Sequence, residues 1–160
     1  MKKILAVLLL FALIQVQTFA LTIPQGTLVL VQASNTIDAD RVKIGDTVSF
    51  KTTKPVKVDG KVVINAGKEV NAKVINKKNN GILGIPGEIE VGEFRIITQN
   101  NEIIYLDGKI ADKGKDRLWA NTGWLFIITF PMLFIKGDDG KIYSINEHML
   151  YTAEDVTLEN

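Results

Sequence analysis

The chain has 160 residues, no cysteine, one histidine, and 19 Lys or Arg against 18 Asp or Glu. That excludes a disulfide framework and a thiol nucleophile, and it leaves no basic excess of the kind nucleic-acid binding needs. One histidine with no thiol also falls short of the usual ligand set of a zinc site.

Residues 1–20 read as a secretory signal peptide rather than part of the fold. Lys2 and Lys3 form a charged start, residues 4–14 an apolar core, and Thr18 and Ala20 place small side chains where a signal peptidase cuts. An uncleaved N-terminal anchor is the alternative. With no cysteine there is no site for acylation behind the leader. Cleavage removes two lysines and no acid, so residues 21–160 carry a net charge of −1. They are expected to form a single β domain, exported to the periplasm or outer envelope of a bacterium, membrane-associated or secreted.

The first expected strand is 27–33, behind the turn at Pro24 and Gly26. Both of its faces are largely apolar, which suits a central strand. Residues 34–40 read as loop or short irregular strand. Gly45 and Asp46 make a turn, and 47–53 alternates with Val48 and Phe50 inward. Val56 and Val58, then Asp59-Gly60, then Val62 to Ile64 spell a hairpin, because a type I′ turn needs φ > 0 at both central residues. The stretch 23–29, IPQGTLV, has the same outline as 64–70, INAGKEV. A strand over 69–76 precedes a loop punctuated by Gly81, Gly84, Pro86 and Gly87.

Residues 88–98 form a long strand whose inward parity changes at Gly92, the mark of a β-bulge. Asn100 and Asn101 turn it into a strand over 102–110. Residues 141–145 and 149–158 read as two final strands. No helical period is present between 22 and 117. The fold class is therefore all-β, a small antiparallel barrel or sandwich of short strands.

One late stretch breaks the pattern. Residues 118–135 are LWANTGWLFIITFPMLFI, and 124–135 contain one polar side chain, Thr129, and no charge. Three readings compete. As core, the run is a short helix or hairpin buried on both faces, although Pro131 disfavours a central strand or mid-helix. As a surface for membrane or partner, it presents Trp119, Trp124, Phe126, Phe130 and Phe134 between Lys115, Arg117 and Lys136. As a spanning helix, its eighteen residues are of marginal length.

The order of motifs resembles a known group. RVKIGDTVSF, then KPVKVDGKVVINAGKEVNAKV, then GIPGEIEV, then an apolar run ending FIKG, is similar to small exported bacterial β-proteins of unassigned function with IPAGT, VGD and VDGKVVIPAGT turns. A weaker likeness is to the periplasmic β-barrel of TrbI-type conjugation-channel subunits. The resemblance implies a β fold over the whole mature chain and implies no chemistry. The chain departs from the pattern at Asn65, where the group has proline, and at 145–149, where a third such turn is expected and is unrecognisable.

Catalytic candidates are few. Ser34, Ser49 and Ser144 have only His148 as a base, and no nucleophile-elbow motif surrounds them. His148, beside Glu147 in an expected turn, reads as a solvated surface residue. Glu88 and Glu90 share a strand face and pair as glycosidase acids do, yet such acids are ordinarily solvated. Asp38 and Asp40 could ligate Ca²⁺ with loop carbonyls, but without EF-hand spacing. Asp138, Asp139 and Gly140 suit a hairpin turn better than a metal loop. The residues thus point to a non-enzymatic envelope protein with no catalytic, metal or cofactor site. It would bind or assemble through sheet edges and the segment 118–135, its partner an envelope protein or a membrane surface. The alternatives are a secreted or surface adhesion factor and a glycan-active enzyme using paired carboxylates. N-terminal analysis of the native protein should show Leu21 as the first residue; Met1 retained in envelope fractions would refute the leader assignment.

Overall fold

The computed structural model describes residues 21–82, 84–98, 101–115 and 136–158. Residues 1–20, expected to be a leader, and the apolar run, with Trp119, Trp124, Phe126, Phe130 and Phe134, lie outside the described residues. In chain order the strands are β1 (Leu21–Ile23), β2 (Leu28–Ala33), β3 (Ile37–Asp38), β4 (Thr47–Thr52), β5 (Val56–Val58), β6 (Lys61–Ile64), β7 (Glu69–Lys78), β8 (Glu88–Ile97), β9 (Ile103–Asp107), β10 (Ile110–Lys113), β11 (Lys141–Ile142), β12 (Glu147–Thr152) and β13 (Val156–Leu158). A single 3₁₀ turn, Ala39–Arg41, follows β3.

Six strands close into an antiparallel barrel in the order β8–β7–β4–β2–β12–β9, with β9 returning to β8. Between a barrel and a sandwich, the chain takes the barrel. Closure depends on β8. Its first half pairs with β10, through Ile110↔Val91 to Lys113↔Glu88, and its second half pairs with β9, through Phe94↔Leu106 to Ile97↔Ile103. On its other edge it runs along β7, where the register slips twice. From Asn71↔Arg95 to Lys73↔Gly92 the extra residue lies on β8; from Val74↔Val91 to Asn76↔Glu90 it lies on β7. The bulge expected at Gly92 is therefore present, and Glu93 takes φ 52 there. A Cβ on Gly92 would lie 2.9 Å from Cδ1 of Ile75, the extra residue of the facing bulge, so the Ile75 side chain packs over the space that Gly92 leaves open.

Alternate side chains fill the interior. Val29, Val31, Phe50, Val70, Val91, Phe94, Ile104 and Leu150 are fully buried, and Phe50 meets Phe94 edge to face with ring centroids 5.4 Å apart. The apolar second face of β2 is the barrel's outer wall rather than a second core: Leu28 is exposed. Leu28 joins Ile97, Ile103, Tyr105, Met149 and Tyr151 as exposed apolar side chains.

Other boundaries also differ from expectation. The strand expected over 102–110 breaks at Gly108, which has φ 146 and separates β9 from β10. The strand expected over 149–158 ends at Thr152, and β13 turns away to pair with β1. The unrecognisable third turn falls at 143–146, closed by the Asn146 amide on the Tyr143 carbonyl (3.2 Å).

One device recurs. In the first copy Gly26 N–H donates to the Thr152 carbonyl, Thr27 N–H to the Thr152 hydroxyl, and that hydroxyl to the Pro24 carbonyl. In the second, Gly67, Lys68 and Asn65 repeat the set around Thr52. Thr52 and Thr152 are the two buried polar side chains among the described residues, and this pairing satisfies both. The likeness extends outward. β5 and β6 form a hairpin with Val56 opposite Ile64; β13 and β1 form the same ladder with Val156 opposite Ile23, built from the first and last described strands.

The hairpin turn is of type I′, with Asp59 at φ 49 and Gly60 at φ 79. Gly60→Val should destabilise the domain by roughly 1–3 kcal/mol, since a β-branched residue is strained there, whereas Asp59→Asn should be nearly silent. Urea unfolding midpoints decide; a wild-type midpoint for Gly60→Val would refute the turn.

Candidate functional site

The residues with chemistry gather at one end of the barrel, where the chain leaves at Lys115 and returns at Lys136. The loop 79–87 between β7 and β8 holds both stems. Gly114 N–H donates to the Gly87 carbonyl (2.9 Å), Gly87 N–H to the Asp138 carbonyl (2.9 Å), and Gly137 N–H to the Gly81 carbonyl (3.1 Å). The Asn80 side-chain amide adds a bond to the Gly137 carbonyl (2.9 Å). The backbones touch: a Cβ on Gly114 would lie 2.0 Å from the Asp138 carbonyl oxygen, and one on Gly137 2.2 Å from that of Ile85. Glycine at both positions is therefore a packing requirement. Ile82 (56% exposed) and Ile85 (38%) project from the same loop into solvent. No helix among the described residues is long and apolar enough to cross a membrane.

The acids sit beside this crossing. β3 pairs with β11, placing Lys141 opposite Asp38. One carboxylate oxygen each from Asp38, Asp40 and Asp139 lies within 4.8 Å of the others, close enough to share one hard cation. Lys141 already supplies counter-charge, with Nζ 3.0 Å from Asp38 Oδ2, and the Asp40 amide donates to Asp38 Oδ1 (3.3 Å). Burial acts to raise Asp38, but the Lys141 ammonium and the Asp40 amide outweigh it and hold the carboxyl below its usual range. Asp139 shifts the other way, raised first by burial and then by the Asp40 carboxylate, and its Oδ1 is buried without a hydrogen-bond partner. Separate pKa values in neighbouring acids are also what acid–base catalysis uses. Here Asp38 is committed to Lys141 and to the 3₁₀ turn, so the cluster reads as a staple between β3 and the returning stem. Sequence reasoning took Asp38 and Asp40 together and set Asp139 apart in a turn, because only the β3–β11 pairing brings them together.

The remaining candidates are dispersed. Glu88 and Glu90 face β10 and its preceding turn, paired to Lys113 (3.2 Å) and Lys109 (2.9 Å), and the Lys109 hydrogen bond lowers Glu90. His148 corrects the expectation of a solvated residue. It lies within β12 opposite Val31, on the inward parity of Leu150 and Thr152, with Nε2 buried and unpartnered, and burial lowers its pKa. No serine–histidine hydrogen bond forms among the described residues: the Ser49 hydroxyl donates to Glu69, and that of Ser144 meets Thr36. Comparison with family models, curated proteins and solved structures returns no match.

A raised carboxyl pKa favours the folded state while Asp139 is protonated, and that contribution is lost as pH rises through the folded value. At pH 7 the ionised group is thus a cost. Asp139→Asn should raise the urea midpoint at pH 7, and the gain should vanish on acidification below about pH 4. Unchanged midpoints at both pH values would refute the burial of this charge.

Proposed function

We propose that this protein is a non-enzymatic binding or assembly module of the bacterial cell envelope, exported by its leader and engaging its partner at the barrel end where residues 116–135 leave and return. One observation carries the reading: four hydrogen bonds and two close glycine contacts root both stems on the loop 79–87. A strongly apolar stretch is thereby presented from a rigid base. Each ring strand has a neighbour on both sides, so association falls to the barrel end rather than to sheet edges.

Two further features support a role without catalysis. A glycosidase pair needs one carboxyl held protonated by a raised pKa, and Glu88 and Glu90 are both ion-paired, with Glu90 lowered. A nucleophilic serine needs a base in hydrogen-bond reach, and His148 is half-buried on the inward face of β12 with its Nε2 buried.

Because the stems touch, residues 116–135 can be exchanged for a short Gly-Ser linker without opening the barrel. That variant should unfold within a few degrees of the mature wild type. It should lose the sedimentation with envelopes, and the cross-links to envelope components, that the wild type shows. Equal association by both proteins, or a wild type that stays monomeric and unattached, would overturn the proposal.

A further inference from the structure

We infer that the outer wall carrying Leu28, Tyr105, Met149 and Tyr151 is a docking surface for a second copy of this chain. It is a different face of the barrel from the end where the stems are clamped, and it stands apart from the envelope-binding reading. A comparison within the chain singles it out. The β12–β2 and β4–β7 ladders share one register: Tyr151↔Leu28, Leu150↔Val29 and Met149↔Leu30 match Lys51↔Glu69, Phe50↔Val70 and Ser49↔Asn71. Each ladder ends on the same threonine device, at Thr152 and at Thr52. The inward positions agree, since Leu150 and Val29 are buried as Phe50 and Val70 are. The outward positions do not. One ladder shows Lys51 opposite Glu69, with the Ser49 hydroxyl donating to Glu69 (3.2 Å). The other shows Tyr151, Met149 and Leu28, exposed by 46%, 65% and 44%. The fold therefore accepts polar residues at these positions and does not demand apolar ones. Contiguous apolar side chains left in solvent without a folding role mark a surface that is covered.

The charges on the wall suit a copy of itself. Tyr151 lies opposite Asp107 on β9, and Tyr105, two residues back on the same face, lies opposite Arg95 on β8. Ile103 and Ile97 are the next outward pair, both exposed. Arg95 and Asp107 are exposed too, and neither has an ion-pair partner among the described residues. Glu93 beside them is already paired to Lys73 (2.7 Å). As diagonal neighbours, Arg95 and Asp107 sit roughly 8 Å apart on either side of Tyr105. A two-fold axis lying in the interface over Tyr105 stacks that ring on its own copy. It also sets each Arg95 against Asp107 of the second copy and brings Tyr151 towards the second copy's Ile97. One unpaired charge of each sign around an apolar centre is self-complementary under such an axis. Residues 21–160 carry a net charge of −1, so two copies meet without long-range repulsion.

The mature full-length chain should sediment as a dimer in analytical ultracentrifugation at micromolar concentration, and its thermal midpoint should rise with protein concentration. Leu28→Glu combined with Tyr151→Lys places on the wall the Glu69 and Lys51 pair that the matching ladder already carries. This variant should keep the wild-type circular dichroism, lose about tenfold or more in dimer association constant, and melt independently of concentration. Arg95→Asp and Asp107→Arg should each weaken the dimer, and the two together should restore it, which a merely structural role for either residue would not produce. A monomeric wild type would overturn the inference. A dimer left intact by the Leu28→Glu, Tyr151→Lys variant would overturn it as well, since the contact would then lie elsewhere.

Discussion

The pair of interlocked bulges between β7 and β8 governs this structure. A strand that must serve β7 on one edge, and first β10 and then β9 on the other, has to bend and twist midway. The extra residue at Gly92 to Glu93 supplies the bend, and Ile75 fills the space that glycine leaves. The bulge also resets parity. Ile89 and Val91 face inward before it, and Phe94 and Ile96 face inward after it. Without that reset either Val91 or Phe94 would face solvent, and the Phe50–Phe94 contact at the centre of the core would be lost. Because β8 bends, β10 runs up one end of the barrel, and that is where Gly114 meets Gly87 and the stems are clamped.

What the residues made legible were demands on local backbone. Asp59-Gly60 announces a turn with two positive φ values, and Gly92 announces a bulge by changing parity; both are present. What stayed hidden depends on partners far along the chain. Asp139 belongs with Asp38 and Asp40 because β11 pairs with β3, across a hundred residues that carry no marker of that pairing. His148 reads as solvent-facing beside Glu147 until β2 is set next to β12, after which its parity turns it inward. The chain keeps β8 as its neighbour across Gly108 and loses β12 there, and after Thr152 it leaves β2 and β9 for β1; neither loss of a distant partner is marked by a local preference.

The barrel end combines two properties that seldom coincide. Its backbone is tightly packed, with glycines pressed against carbonyl oxygens, yet the side chains it shows to solvent include isoleucines. Rigidity there lowers the entropy lost when the surface is covered, so a modest apolar area yields more net association than the same area on a loose loop. The acid staple contributes to that rigidity by tying the returning stem to β3, at the cost of one carboxyl whose ionised form burial and Asp40 disfavour.

The repeated threonine device has a consequence for how the chain could be ordered. In one half of the barrel the sequence passes through the β5–β6 hairpin; in the other, β13 and β1 make the equivalent ladder with its turn left open. Leu158 lies opposite Leu21, so the described strands close on themselves as a ring. Joined by two turn residues between Leu158 and Leu21 and opened between Asp59 and Gly60, the same strands would meet the same neighbours in a circularly permuted order. The barrel would then begin inside its second half, and β13 and β1 would be joined as an ordinary hairpin.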